Sequence, residues 1–286
     1  MLSVIKPGIY ASIQDGGRKT YRGYGVPVSG PMDDYAFHYS NKLLGNKPNT
    51  AAIEIIYGGI ECYVEEDVDI AITGANFHPL VNGKPVPMWQ CIRLYEGEQL
   101  TFQGSKQGSI AYLAMSGGID SPVYLGSQSV YSRAGLGEIL KTGDTISSFK
   151  RQVCNTYHIN PRNIPTYTSH VKVRVIPSHH EALFSSRAIQ QFYSNPFQLM
   201  KMDRMGAILK GDKALTMNKE QDIISEAVTF GTIQVPPHGQ PMILLADAQT
   251  TGGYPTIGTI LSDDLWRVTQ IQPQGHIRFK RYEINT

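Results

Sequence analysis

Apolar residues in this 286-residue chain come in short runs, most of them closed within a few positions by glycine, proline or asparagine. Runs at 51–56, 60–64, 68–73, 91–94, 99–102 and 109–114 have strand length and composition, as do 172–176, 206–209, 231–235, 242–246, 259–261 and 276–281 in the second half. Turn signals separate them: NGKP at 82–85, YEGE at 95–98 and PPHGQP at 236–241. Glycine supplies 28 residues, spread along the chain, against a usual share of roughly 7%. Many tight turns between short strands predict a mainly β fold, a barrel or sandwich, with few helices.

Two segments predict helices. Ser29 to Asp33 offers capping side chains ahead of 35–44, where Ala36, Tyr39 or Ser40, and Leu43 share a face and Gly45 provides the stop. A second helix is expected over 179–192, with Phe184, Ala188 and Phe192 at helical spacing. The stretch 150–169 is polar, carries two prolines and has no periodicity, which divides the chain into expected domains 1–160 and 161–286. Aligning Glu54 with Glu226 sets Gly59 on Gly231 and 70–73 on 242–245, so a duplicated β unit and chance are both open.

Charged residues make up 17% of the chain, 26 basic against 24 acidic, and no run of Lys or Arg exceeds two. Nucleic acid and an anionic membrane surface are therefore not expected as partners. The first residues lack a long apolar stretch behind a basic start, so no signal peptide is expected. Cys62, Cys91 and Cys154 are odd in number and lack CxxC spacing, which fits a reducing compartment, speaks against a disulfide framework and predicts a cytoplasmic protein.

The densest polar cluster is DAQTTGGYP at 247–255, where Asp247, Gln249, Thr250, Thr251, Gly252, Gly253 and Tyr254 follow a strongly apolar run. Paired glycines let backbone N–H groups approach a ligand, and the acid, amide and hydroxyls suit a carboxylate, a phosphoryl group or an amide. A turn satisfying only its own backbone is the alternative, and the lack of Lys or Glu across the stretch favours a cradle. Glu226 and Gln234 lie in SEAVTFGTIQVP, and Gln234 must face either solvent or a polar pocket. In MDRMG, Asp203 and Arg204 are either ligand-facing or part of an internal ion pair. Asp15, Arg18 and Asp33 lie in a glycine-rich segment that runs into a helix start, which serves either as an anion site or as simple capping. MSGGID at 115–120 reads as a backbone nest or a turn. Met200-Lys201-Met202 matches a biotin-attachment tripeptide but sits in no separate carrier domain. No phosphate loop, GxGxxG, GxSxG or HExxH is present, and the adjacent His179 and His180 are not expected to face one point on a helix, so no metal site is expected.

The segments IQDGGR, YGVPVSGPMD, AAIEI, ITGA and SGGID, followed by DRMG and IQVPPHGQPMILLADAQTTGGYP, closely resemble one family across nearly the whole chain. It is the family of C subunits of bacterial ATP-dependent 5-oxoprolinase, also described as allophanate hydrolase subunit 2, biotin-dependent carboxyltransferase, or antagonist of a sporulation-kinase inhibitor. The resemblance implies tandem cyclophilin-like β-barrels, a cyclophilin-like B subunit and a third subunit as partners, and ATP-dependent hydrolysis of 5-oxo-L-proline to L-glutamate, with ATP used through the complex. Biotin enters only as a possible donor on a partner, in the alternative of carboxyl transfer to urea or a related amide. A non-enzymatic regulator binding a kinase-inhibitor protein is a further alternative. Two departures stand out: Met202 where the family commonly has Ser, and an end at Thr286 without the helical tail many members carry. On the leading reading, Asp247, Glu226, Asp203 and Arg204 are catalytic. Gln234, Gln249, Thr250, Thr251, Gly252, Gly253, Tyr254, Asp15, Arg18 and Asp33 then bind substrate, all in one cleft.

Overall fold

The computed structural model describes residues 1–105, 107–149, 159–218 and 223–283. The chain divides into two compact units, Met1–Arg18 with Ser29–Tyr167, and Lys19–Val28 with Thr168–Thr286. The short segment 19–28 thus folds with the C-terminal half, a crossover that a single cut near residue 160 does not provide. It is pinned there by the Arg22 guanidinium, which donates to the Val228 carbonyl.

In the first unit, a seven-stranded and a five-stranded sheet share one apolar core. The strands Ala52–Ile56, Val68–Gly74 and Ile110–Met115 of the smaller sheet are buried at every position. That is why they read as apolar runs interrupted only by Glu54, Asp69 and Thr73: one face meets the other sheet, and the other is covered by the helix Asp34–Leu43. The cover is specific. Phe37 packs edge-on against Tyr112 with ring centroids 5.7 Å apart, and the Thr73 hydroxyl donates to the Ala36 carbonyl at 2.7 Å.

In the second unit, seven strands close into a barrel: His170–Pro177, Thr256–Ile260, Thr232–Gln234, Met242–Leu244, Gly206–Lys210, Pro196–Met202 and His276–Arg281, in that spatial order. Closure leaves no free sheet edge. Phe192, on the helix Ser186–Ser194, stacks on Phe279 at 4.4 Å, with Phe197 packed against both. The helix expected over 179–192 is broken in two, a 3-10 turn His179–Leu183 and an α-helix Ser186–Ser194 capped by the Ser185 hydroxyl. Met200-Lys201-Met202 lies within a barrel strand beside a bulge, not at a hairpin tip. Among the described residues no helix is long and apolar enough to cross a membrane. Cys62 is a buried free thiol and Cys91 is disulfide-bonded, which corrects the expectation drawn from the odd cysteine count; Cys154 lies outside the described residues.

Candidate functional site

A pocket of about 300 Å³ opens at one end of the second unit, lined by residues from separated parts of the chain. Ser178, His179 and His180 come from the start of the 3-10 turn, and Glu226 from a two-residue strand paired with Thr251–Gly252. Thr229, Thr232, Tyr254 and Thr256 complete the polar wall. At its centre the Glu226 carboxylate lies 3.2 Å from His179 Nε2 and 3.8 Å from His180 Nε2. The two imidazoles are neighbours, with ring centroids 4.0 Å apart. The divergence expected for adjacent residues on a helix therefore does not hold at the ring ends, since both side chains reach the Glu226 carboxylate from one short turn.

His180 is the anchored member. Its Nδ1 lies 3.2 Å from Thr256 Oγ1, accepts from the Thr256 backbone N–H at 3.4 Å, and Thr256 Oγ1 sits 2.7 Å from Ser178 Oγ. Burial lowers the His180 pKa below the ordinary histidine value; the His179 ring adds to that and Glu226 opposes it. A neutral imidazole beside a carboxylate can pass a proton in either direction near neutral pH.

Gln234 is fully buried, which decides between solvent and interior. Its Nε2 donates to the Tyr254 carbonyl at 3.4 Å, and Oε1 has no partner among the described residues. Any Cβ at position 252 would overlap the Gln234 carboxamide, so Gly252 is the residue that lets the pocket wall lie directly on this amide.

The remaining candidates are employed elsewhere. Arg204 grips Asp247 through two parallel bonds, Nε to Oδ2 at 2.8 Å and Nη2 to Oδ1 at 2.9 Å, with both side chains buried. The internal ion pair left open by the sequence is thus what forms. Asp203 Oδ1 accepts from the backbone N–H groups of Met205 and Gly206 and closes the turn between two barrel strands. The Thr250 carbonyl accepts from the Val228 N–H, while Gln249, Thr251 and Gly253 are exposed. In the first unit Asp15 accepts from Ser127 Oγ, Ser129 Oγ and the N–H groups of Gly17 and Gln128, gathering one loop onto another. Arg18 is buried and donates to Ser29 Oγ and the carbonyl of Ser129. Asp33 caps the helix Asp34–Leu43 through the Ala36 N–H at 2.9 Å and accepts from the Tyr167 hydroxyl. MSGGID is a turn, with the Gly118 N–H donating to the Met115 carbonyl.

Such a cap has a measurable signature. Asp33→Ala should lower stability by about 1–2 kcal/mol, the cost of losing a helix cap, read as a shift of the urea midpoint with an unchanged slope. The buried Cys62 thiol is pushed up to about 12, which removes it as a nucleophile at neutral pH. His179, His180, Ser178 and Thr256 are not marked as site residues by the sequence. The one signal there is two histidines followed 46 residues later by an isolated acid, a spacing that means nothing until the barrel closes.

Comparison with known proteins agrees with this architecture. The family model for the carboxyltransferase domain, subdomain A and B, matches residues 24–281. The 5-oxoprolinase C subunit of Haemophilus influenzae is 33% identical over 98% of this chain and 91% of its own length. The solved protein TTHA0988 superposes with a TM-score of 0.88 at 30% identity, over 98% of this chain but 56% of that one. Kluyveromyces lactis urea carboxylase gives a TM-score of 0.91 at 27% identity, covering 99% of this chain and 27% of that one. This chain therefore corresponds to nearly all of the Haemophilus influenzae relative and to only part of each of these two solved proteins.

Proposed function

Since the chain belongs to the family of carboxyltransferase domains, subdomains A and B, we propose that it is the C subunit of an ATP-dependent 5-oxoprolinase and receives the lactam in the pocket of its second unit. The observation that carries this reading is the convergence of Glu226, His179 and His180 in a pocket walled by hydroxyls and bare backbone. Lactam opening requires a proton taken from the attacking oxygen and a proton given to the leaving nitrogen. On this reading Glu226 takes the first proton and the adjoining imidazoles give the second. The catalytic set anticipated from the sequence is accordingly redrawn: Glu226 stays, His179 and His180 join it, and Asp247, Arg204 and Asp203 become supports.

The sequence carries no phosphate loop, so ATP chemistry falls to partner subunits. The test is glutamate release from 5-oxoproline and ATP by the chain alone and by the chain co-expressed with its partner subunits. Release is expected only from the complete set; turnover by the chain alone would contradict the division of labour. The family description favours a second reading, carboxyl transfer to a urea-like amide in the same pocket. It predicts a biotinylated protein co-purifying with the chain on a streptavidin blot, where the first reading predicts none.

A further inference from the structure

We propose that His179, His180 and Glu226 form a binding site for a zinc-class divalent cation, with one coordination position open to the pocket. The three ligating groups each offer an atom, and these atoms lie within 4.8 Å of one another. Tetrahedral coordination with bonds of about 2.0–2.1 Å places ligand atoms roughly 3.3 Å apart. The chain already holds His179 Nε2 and Glu226 Oε2 at 3.2 Å, and His180 Nε2 and Glu226 Oε1 at 3.8 Å. A cation thus needs only small side-chain rotations to collect all three. Two imidazoles and one carboxylate are the donor set of an open zinc site, which keeps its fourth position for water or substrate.

The supporting residues are also in place. A histidine bound through Nε2 carries its proton on Nδ1 and gives it to a neighbouring acceptor. For His180 that acceptor is Thr256 Oγ1, at 3.2 Å, itself 2.7 Å from Ser178 Oγ. The ligands stand on two elements that are each tied down. The 3-10 turn is capped by Ser178 Oγ, which accepts from the His180 N–H, and the Glu226 strand is paired with Thr251–Gly252. None of the described residues lining the pocket is Lys or Arg, so no fixed positive charge in that lining opposes a cation.

A bound cation takes the same imidazole and carboxylate lone pairs that otherwise exchange protons. Occupancy replaces the hydrogen bond from the Thr256 N–H to His180 Nδ1 with one from Nδ1–H to the Thr256 hydroxyl. Cation binding is read on the chain itself, so its failure leaves the lactam reading standing, and the reverse also holds.

The experiment uses the full chain, stripped with chelator and titrated with Co²⁺ for tetrahedral visible absorption and with Zn²⁺ against a chromophoric indicator. One equivalent is expected to bind. His180→Ala and Glu226→Gln should each weaken binding by at least about tenfold, and Thr256→Val by about tenfold through loss of the supporting acceptor. Because Glu226 is 46% exposed, Glu226→Gln tests the ligand without threatening the fold, and circular dichroism verifies each variant. His170→Ala is the control, since His170 and His276 form another close imidazole pair, stacked at 5.1 Å. Absence of a one-equivalent site overturns the proposal. So does binding that survives both His180→Ala and Glu226→Gln, or binding abolished by His170→Ala.

Discussion

Asp247→Asn is expected to destabilise the second unit by about 3–5 kcal/mol, because it takes the Asp247 carboxylate from the buried, charged Arg204 guanidinium. The two side chains are about 4–5% exposed and meet in a fork-to-fork pair, with a further bond from the Asp247 N–H to the Arg204 carbonyl at 2.8 Å. Arg204→Met should be similarly damaging, since it strands the carboxylate. The double variant Arg204→Met with Asp247→Leu removes both charges and fills the space, so most of the stability should return. Chemical denaturation of the four proteins measures the coupling. The same set separates structural from catalytic roles: a stable double variant that still supports turnover in the complete enzyme confines the pair to support. One that is stable yet inactive would restore the catalytic role suggested by the position of Asp247 at the head of DAQTTGGYP.

The fate of this pair illustrates what is legible in the sequence. Element type follows from local pattern and holds where apolar residues dominate, as in the fully buried strands Ala52–Ile56, Val68–Gly74 and Ile110–Met115. Two strands with a register shift escape, although Thr232–Gln234 is legible despite one. Leu2–Pro7 slips between Val4 and Lys6, and Pro196–Met202 between Leu199 and Lys201. A bulge inserts one residue and inverts the alternation on which recognition of a half-buried strand depends. Asp33 is legible as a cap because capping is local, three residues from donor to acceptor.

The site is legible only in part. Glu226, Gly252 and Tyr254 stand out as polar groups or bare backbone between apolar strands and line one pocket, with Gln234 buried against Gly252. The histidines do not stand out, because Glu226, the carboxylate that both rings reach, lies far away in sequence and only the folded chain brings it to them. Whether an acid is functional or structural is decided by its partner, and partners lie far away in sequence. Asp247 finds Arg204, Asp15 finds Ser127 and Ser129, and Glu54 finds Tyr112 and the Met32 N–H. Glu226, by contrast, finds two imidazoles at a pocket. That also separates the two acids of the sequence echo, Glu54 being sealed in a sheet and Glu226 facing solvent.

Glu226→Gln should lower kcat of the reconstituted 5-oxoprolinase by about 10²–10⁴, the range lost when a positioned general acid–base group is removed. Gln keeps the size of the side chain and can still contact the imidazoles, but it cannot take a proton from an attacking oxygen. Because the residue is half-exposed and its backbone pairing with Gly252 does not involve the side chain, thermal stability should be unchanged. His180→Ala should produce a loss of the same order, since the anchored imidazole is the member held by Thr256. His179→Ala should cost less, as that ring is 69% exposed. The distribution of the loss is the informative quantity. A fall in kcat at nearly constant KM marks proton transfer in the transition state, whereas a raised KM at constant kcat would reduce Glu226 to uniform substrate binding. Full activity in Glu226→Gln would remove the chemistry from this pocket altogether, because no other carboxylate among the described residues lines it.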